Sequence, residues 1–160
     1  MSTSAVLSPI EADDRGLLVS CPKCHARNRM SYVRLGQDFR CGQCHEDLAS
    51  PAEPVELSTE AAFNALINQS RVAVLIDFWA PWCPPCRAVA PEIAKVAETG
   101  AGRYIVGKVD TENLPAIAQR FGIASILTMV VFTSGRELAR QSGAMPAAAI
   151  NQFVERATRT

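Results

Sequence analysis

The chain has 160 residues, with 16 basic against 16 acidic side chains and 48% apolar content. That length holds one ordinary domain plus a small module, and the balanced charge gives no field to steer the protein to nucleic acid or to an anionic membrane. The apolar share argues for a packed core and against general disorder, and no apolar run approaches the ~18 residues of a membrane span. Near the start, Glu11, Asp13, Asp14 and Arg15 interrupt any basic-then-apolar pattern, so no secretory signal is read and a cytoplasmic location is expected. In that compartment paired cysteines bind metal or do redox chemistry more often than they form structural disulfides.

In chain order, residues 1–17 are polar and aperiodic and are expected to be a poorly ordered lead-in. Residues 18–50 are rich in cysteine and poor in large apolar side chains, so they need a staple in place of a core of their own. Pro51 and Pro54 oppose both helix and central strand, which marks a linker. Beyond it, a short strand is predicted near 55–57. A helix follows with Ser58 as N-cap and Phe63, Leu66 and Ile67 on its buried face. Residues 72–79 are almost continuously apolar, as suits a central strand covered on both faces. A helix over 84–98, kinked at Pro91, a strand over 104–109 and a short helix over 114–121 come next. Thr133-Ser134-Gly135 joins two strands, 128–132 and 137–141, into a hairpin, and an amphipathic helix over 147–157 closes the chain. The order β-α-β-α-β-α-β-β-α defines an α/β sheet with helices on both faces.

The six cysteines form three Cys-x-x-Cys pairs. Cys21/Cys24 and Cys41/Cys44 stand 16 residues apart in turn-rich sequence, the spacing of two knuckles that close a tetrahedral four-thiolate zinc site. One structural zinc ion is expected on Cys21, Cys24, Cys41 and Cys44, because four thiolates leave no position open to substrate. Gly42 is read as supplying a positive-φ turn, and His25 and His45 as solvated edge residues. Two disulfides or free thiols are the plainer alternatives. The segment carries Lys23, Arg27, Arg29, Arg34 and Arg40 against Asp38, Glu46 and Asp47, with Tyr32 and Phe39 as its only aromatics. That is a weak nucleic-acid footprint, and no nucleic-acid partner is expected.

The third pair has a different setting. Asp77-Phe78-Trp79-Ala80-Pro81-Trp82-Cys83-Pro84-Pro85-Cys86 runs from a buried strand into the start of a helix. There the free N–H groups and the helix dipole favour a Cys83 thiolate, while Cys86, one turn in and less exposed, can resolve a mixed disulfide. Pro84 and Pro85 fit the first turn, where a missing N–H costs little. Half of a metal site is the rival reading.

Residues 77–86 closely resemble the active-site segment of thioredoxin, and the paired knuckles ahead of them resemble the thioredoxin-2 type of bacteria. The resemblance implies a thioredoxin fold, a central mixed sheet flanked by helices over 55–160, behind a zinc ribbon over 18–50. It implies protein dithiol–disulfide exchange with Cys83 as nucleophile and Cys86 as resolving thiol. Asp77 would be the buried carboxylate that trades a proton with Cys86, and Lys108 the lysine that pairs with it. Trp82, Ile126, Leu127 and Gly143 would line the substrate rim, with Trp79 as nearby packing. The implied partners are thioredoxin reductase and disulfide-containing proteins, with no bound organic cofactor.

Two positions depart from the family pattern. Pro84 replaces a glycine between the cysteines, and Leu127 replaces the cis-proline of the facing loop, Ile123-Ala124-Ser125-Ile126-Leu127-Thr128. A cis bond before a non-proline costs ~3–4 kcal/mol, so Ile126–Leu127 is expected to be trans and the loop rearranged. Three readings stay open on that expectation. They are a working disulfide reductase, a redox-impaired thioredoxin-fold binding protein, and a redox sensor in which oxidation of the ribbon cysteines ejects zinc. A metal or iron–sulfur cluster shared between two chains through Cys83 and Cys86 is a further variant.

Overall fold

A run of alternating side chains on one strand decides how the chain layers. The computed structural model describes residues 9–159. Its elements begin with β1 (Glu11–Ala12), β2 (Gly16–Ser20), β3 (Arg27–Ser31), a 3-10 turn (Tyr32–Arg34), β4 (Phe39–Arg40), β5 (Asp47–Leu48) and β6 (Val55–Glu56). They continue with α1 (Glu60–Gln69), β7 (Ala73–Trp79), α2 (Pro84–Thr99), β8 (Tyr104–Asp110), α3 (Pro115–Arg120), β9 (Thr128–Thr133), β10 (Arg136–Ser142) and α4 (Ala147–Thr158). The principal sheet has the order β10-β9-β7-β8-β6, with β7 and β6 parallel to β8 and the β9–β10 hairpin antiparallel. This is a mixed sheet, and β7 lies at its centre.

Val74, Ile76 and Phe78 of β7 face α1 and α3 in a cluster with Phe63, Leu66, Ile117 and Phe132. Leu75 faces the other way, with Val106, Met129 and Val131, into a cluster built by α2 and α4. Strand alternation therefore places Asp77 on the α2 side. Gly107 keeps the first face close-packed, since a Cβ there would crowd Ile76, Leu57 and Leu66. The exposed edge strand β10 carries a register shift between Glu137 and Ala139, which makes it a poor template for another chain.

Helix ends are capped by neighbours that the sequence pattern does not single out. The N-cap of α1 is Thr59, not the expected Ser58: its Oγ1 accepts the Ala62 N–H at 3.1 Å, the reach of a hydroxyl three residues before its donor. Pro146 opens α4 without a side-chain acceptor, and Glu92 of α2 supplies one by accepting the Ala147 N–H at 2.9 Å. α2 runs through Pro91 as one helix.

The expected lead-in is ordered from residue 11 on, because β1 pairs with β2 and β2 with β3; residues 1–8 of that segment lie outside the described residues. This N-terminal module does not stand apart from the sheet. Leu17, Met30, Tyr32 and Leu35 belong to the same buried cluster as Val55, Leu57, Phe63 and Leu66. Tyr32 is the joint: its hydroxyl donates to the Asp13 carbonyl at 2.6 Å and its carbonyl accepts the Arg71 N–H at 3.2 Å. Burial against Asp13 and Asp14 pushes its phenol well above the usual range, which keeps the donor proton in place. Truncating Tyr32 to alanine should cost about 3–5 kcal/mol, the range for a buried aromatic. Urea unfolding followed at Trp79/Trp82 fluorescence and by far-UV circular dichroism should show one shared transition moving to lower urea.

Candidate active site and four-cysteine cluster

Cys83 is the N-cap of α2 and is joined to Cys86 in a disulfide with Cα atoms 5.3 Å apart. Its Sγ accepts the Cys86 N–H at 3.2 Å, so the free donor of a helix N-terminus already points at the sulfur that would carry negative charge after reduction. Pro84 and Pro85 occupy the first turn as expected. Arg87, which no motif marks, ties the preceding loop down by donating to the Pro81 carbonyl at 2.7 Å. One expectation needs correcting: Cys83 is no more open than its partner, at 1% against 5% exposure. Both disulfide-bonded cysteines belong to the buried cluster that holds Val89, Leu127 and Met129.

Of the residues expected at the rim, Leu127 shares a buried cluster with Cys83 and Cys86, and Ile126 packs against that cluster. Trp82 is 59% exposed, Ile126 is half-buried and Gly143 is exposed. Gly143 has φ +96° with open space where a Cβ would stand, so the backbone conformation and not crowding calls for glycine. The Ile126–Leu127 peptide bond is cis, against the expectation of trans. Residue type alone argues for trans, and the loop has partners both near and far in sequence. The Gly143 N–H donates to the Leu127 carbonyl at 3.0 Å, Thr128 Oγ1 donates to the Ser125 carbonyl at 2.6 Å, and Leu127 is 2% exposed in the cluster that holds Cys83 and Cys86.

On the α2 side of β7, Asp77 is 1% exposed and its Oδ1 has no hydrogen-bond partner among the described residues. Burial pushes its carboxyl up to about 7; the Lys108 charge pulls it down and the Glu56 charge adds to the rise. Lys108 is Asp77's register neighbour on β8, yet its Nζ sits over the Trp79 ring, 4.8 Å from the centroid. The expected pair is therefore side by side on the sheet, with the ammonium leaning on the indole. A carboxyl poised near neutrality can take up and return a proton.

In the N-terminal module the four sulfurs of Cys21, Cys24, Cys41 and Cys44 lie within 4.8 Å of one another. Contacts run between knuckles, Cys21 to Cys44 at 3.6 Å and Cys24 to Cys41 at 3.5 Å, and none of the four is in a disulfide. Tetrahedral Zn–S bonds of ~2.3 Å put sulfurs ~3.8 Å apart, so the donor set and its spacing fit a zinc ion. The charges fit as well. The Cys44 N–H, the Asn28 amide and the Gln43 N–H hold the Cys41 thiol well below its usual range. At Cys44 the Glu46 N–H pulls down, but burial and the three neighbouring sulfurs outweigh it and push that thiol up. This crowding of like charge is what a divalent cation relieves.

Each knuckle closes with the same bond, His25 N–H to the Cys21 carbonyl in the first and His45 N–H to the Cys41 carbonyl in the second, both 2.9 Å. His25 and His45 take the positive φ, 66° and 65°, that was expected at Gly42. The turn tightens after the second cysteine of each pair, not between the two. Asn28 joins the knuckles, accepting the Gly42 N–H at 2.9 Å and donating to Cys41 Sγ at 3.5 Å. Nothing in the spacing pointed to it.

A redox-ready Cys-x-x-Cys at a helix N-terminus, above a buried acid in a mixed sheet, defines a disulfide oxidoreductase of the thioredoxin fold. The comparisons agree. The Thioredoxin family model matches residues 54–156, and the chain belongs to the thioredoxin family. It is 39% identical over 140 residues to thioredoxin C-3 of Corynebacterium nephridii, covering 87% of this chain and 94% of that protein. Against thioredoxin 1 of Nostoc sp. it is 40% identical over 98 residues, 61% of this chain and 92% of the relative. A mutant thioredoxin from Halobacterium salinarum superposes with a TM-score of 0.63 at 27% identity, over 71% of this chain and 97% of that one. No helix among the described residues is long and apolar enough to cross a membrane, and relatives include chloroplastic thioredoxins.

The raised Asp77 titration makes stability depend on pH. Below about pH 4 the carboxyl is protonated in folded and unfolded chains alike. Between there and about 7 the folded chain keeps a proton that the unfolded chain has lost, so stability falls as pH rises through that window. Asp77→Asn removes this dependence. Between pH 4 and pH 8 its unfolding free energy should gain on the parent's by up to about 4 kcal/mol. A difference that stays constant with pH would contradict this.

Proposed function

We propose that the chain is a general protein-disulfide reductase. The Cys83 thiolate attacks one sulfur of a target disulfide, forming a Cys83–target bond as the target's second sulfur leaves as thiolate. Cys86 gives its proton to the Asp77 carboxylate, attacks Cys83 Sγ and expels the first target sulfur. The target gains two electrons and the Cys83–Cys86 disulfide forms, which is the state described above. Thioredoxin reductase returns the two electrons and no organic cofactor is held. Trp82, Ile126, Leu127 and Gly143 form the rim on which substrate lies, and Lys108 assists Asp77. The observation that carries this reading is Cys83 Sγ at the N-cap of α2, accepting the Cys86 N–H while Asp77 lies buried and unpaired on the sheet.

Zinc belongs to the same proposal as a structural ion. Cys21, Cys24, Cys41 and Cys44 would hold it, and it would neutralise the clustered thiolates and staple the N-terminal module. Four thiols kept out of disulfides suit a reducing compartment such as the cytoplasm.

With NADPH, thioredoxin reductase and a disulfide-bonded protein, the parent should turn over, and Cys83→Ser should lose at least three orders of magnitude of rate. Equal turnover in parent and variant would reject Cys83 as nucleophile. Purified parent should contain one zinc per chain and Cys41→Ser far less. A strong chelator should lower the melting temperature of the whole chain, because the two halves share a core; unchanged melting would reject the structural role.

A further inference from the structure

Asp77, Lys108 and Glu56 are register neighbours on β7, β8 and β6, a single row across the α2 side of the sheet. The first two have parts in the proton transfer. Glu56 stands at the outer end, exposed, yet its carboxylate is engaged: Trp79 Nε1 donates to Glu56 Oε2 in a long bond of 3.4 Å. The same indole carries the Lys108 ammonium on its face at 4.8 Å. One aromatic ring thus links the anion at the end of the row to the cation in its middle, and it holds that cation away from Asp77.

We propose that Glu56 is a positioning residue for the proton exchange between Asp77 and Cys86, acting through Trp79 and Lys108. The inference rests on the reading of Asp77 as the proton acceptor for Cys86. Two effects act in the same direction. Glu56 fixes the indole that anchors Lys108, so less of the ammonium's field reaches Asp77. Its own negative charge also opposes ionisation of Asp77 from two strands away, a separation of ~10 Å. Each keeps the Asp77 proton bound to a higher pH.

The other groups on these faces are few. Asp77 lies on the side of the sheet that α2 covers, with Lys108 beside it on β8 and the uncharged Met129 beside it on β9. Around Glu56 stand Trp79, Lys108 and Asp110, the last adding charge that resists its ionisation and an N–H that favours it. On β1, which packs beside β6, Glu11 is paired with Arg27 at 3.7 Å.

The test follows the Asp77 side-chain carboxyl by 13C NMR in the oxidised full-length chain as pH is varied, in the parent, Glu56→Gln and Glu56→Ala. Glutamine keeps an acceptor for the indole N–H and removes the charge, so it isolates the electrostatic part without loosening the fold. Its Asp77 midpoint should fall by about half a pH unit. Alanine should lower the midpoint further and shift the Trp79 indole N–H resonance. The pH profile of the resolving step, read as release of a thiol target from its mixed disulfide with Cys83, should move down with the midpoint. An Asp77 midpoint unchanged in both variants would overturn the proposal and leave the role of Asp77 standing. A midpoint that moves while the resolving step ignores both Glu56→Gln and Asp77→Asn would overturn the proton-acceptor reading, and the proposal with it.

Discussion

Burial of a carboxyl that finds no hydrogen-bond donor for Oδ1 is the constraint on which the redox half depends. Such a group is expensive to hold ionised, and it sits in a strand whose other residues are apolar, with Val74, Leu75, Ile76 and Phe78 buried. The alternation that sends Val74, Ile76 and Phe78 toward α1 sends Asp77 toward α2. Nothing local decides this; it follows from β7 lying at the centre of the sheet with helices on both sides. The same placement sets the N-terminus of α2, and hence Cys83, directly after the strand that carries the acid. Acid and disulfide are then positioned by one strand–helix junction, which Arg87 closes through the Pro81 carbonyl.

The N-terminal module meets a different constraint. It has too few large apolar residues to be stable alone, and the sequence pattern suggested a separate unit behind a proline linker. Instead Leu17, Met30 and Tyr32 complete the face of the sheet covered by α1. The module lends its few apolar residues to the larger core and takes stability from it. Its four sulfurs lie at the far end of that shared packing, so anything that organises them is coupled to α1 and β6 through Tyr32 and its two hydrogen bonds.

Much of this was legible because it rests on local pattern. Cys-x-x-Cys spacing, the apolar run of β7, the hairpin turn at Ser134-Gly135 and the acid inside an apolar strand each mark themselves in a few consecutive residues. What was hidden depends on partners distant in sequence. The Leu127 carbonyl accepts the Gly143 N–H and its side chain packs in the cluster of Cys83 and Cys86, none of which the choice of leucine over proline reveals. Glu92 caps a helix that starts 55 residues later, and Asn28 bridges two knuckles on the strength of a turn the spacing cannot place. Near the start, polar residues concealed β1 and the beginning of β2, because a two-residue strand has no periodicity to read.

The three Cys-x-x-Cys pairs show how far spacing alone leaves the chemistry undetermined. In the N-terminal module the chain turns left-handed at His25 and His45, immediately after each pair, and folds each knuckle so that its sulfurs meet those of the other. Within a knuckle, backbone N–H groups point at the sulfurs, which favours thiolates gathered at one centre. At Cys83 the chain instead enters a right-handed helix through two prolines, and that geometry brings the pair's own sulfurs together. Both sites use backbone N–H groups to lower the cost of a thiolate. They differ in what lies beside it: three more thiols in one case, and one partner cysteine in the other. The first arrangement suits a cation, and the second suits the repeated making and breaking of one S–S bond.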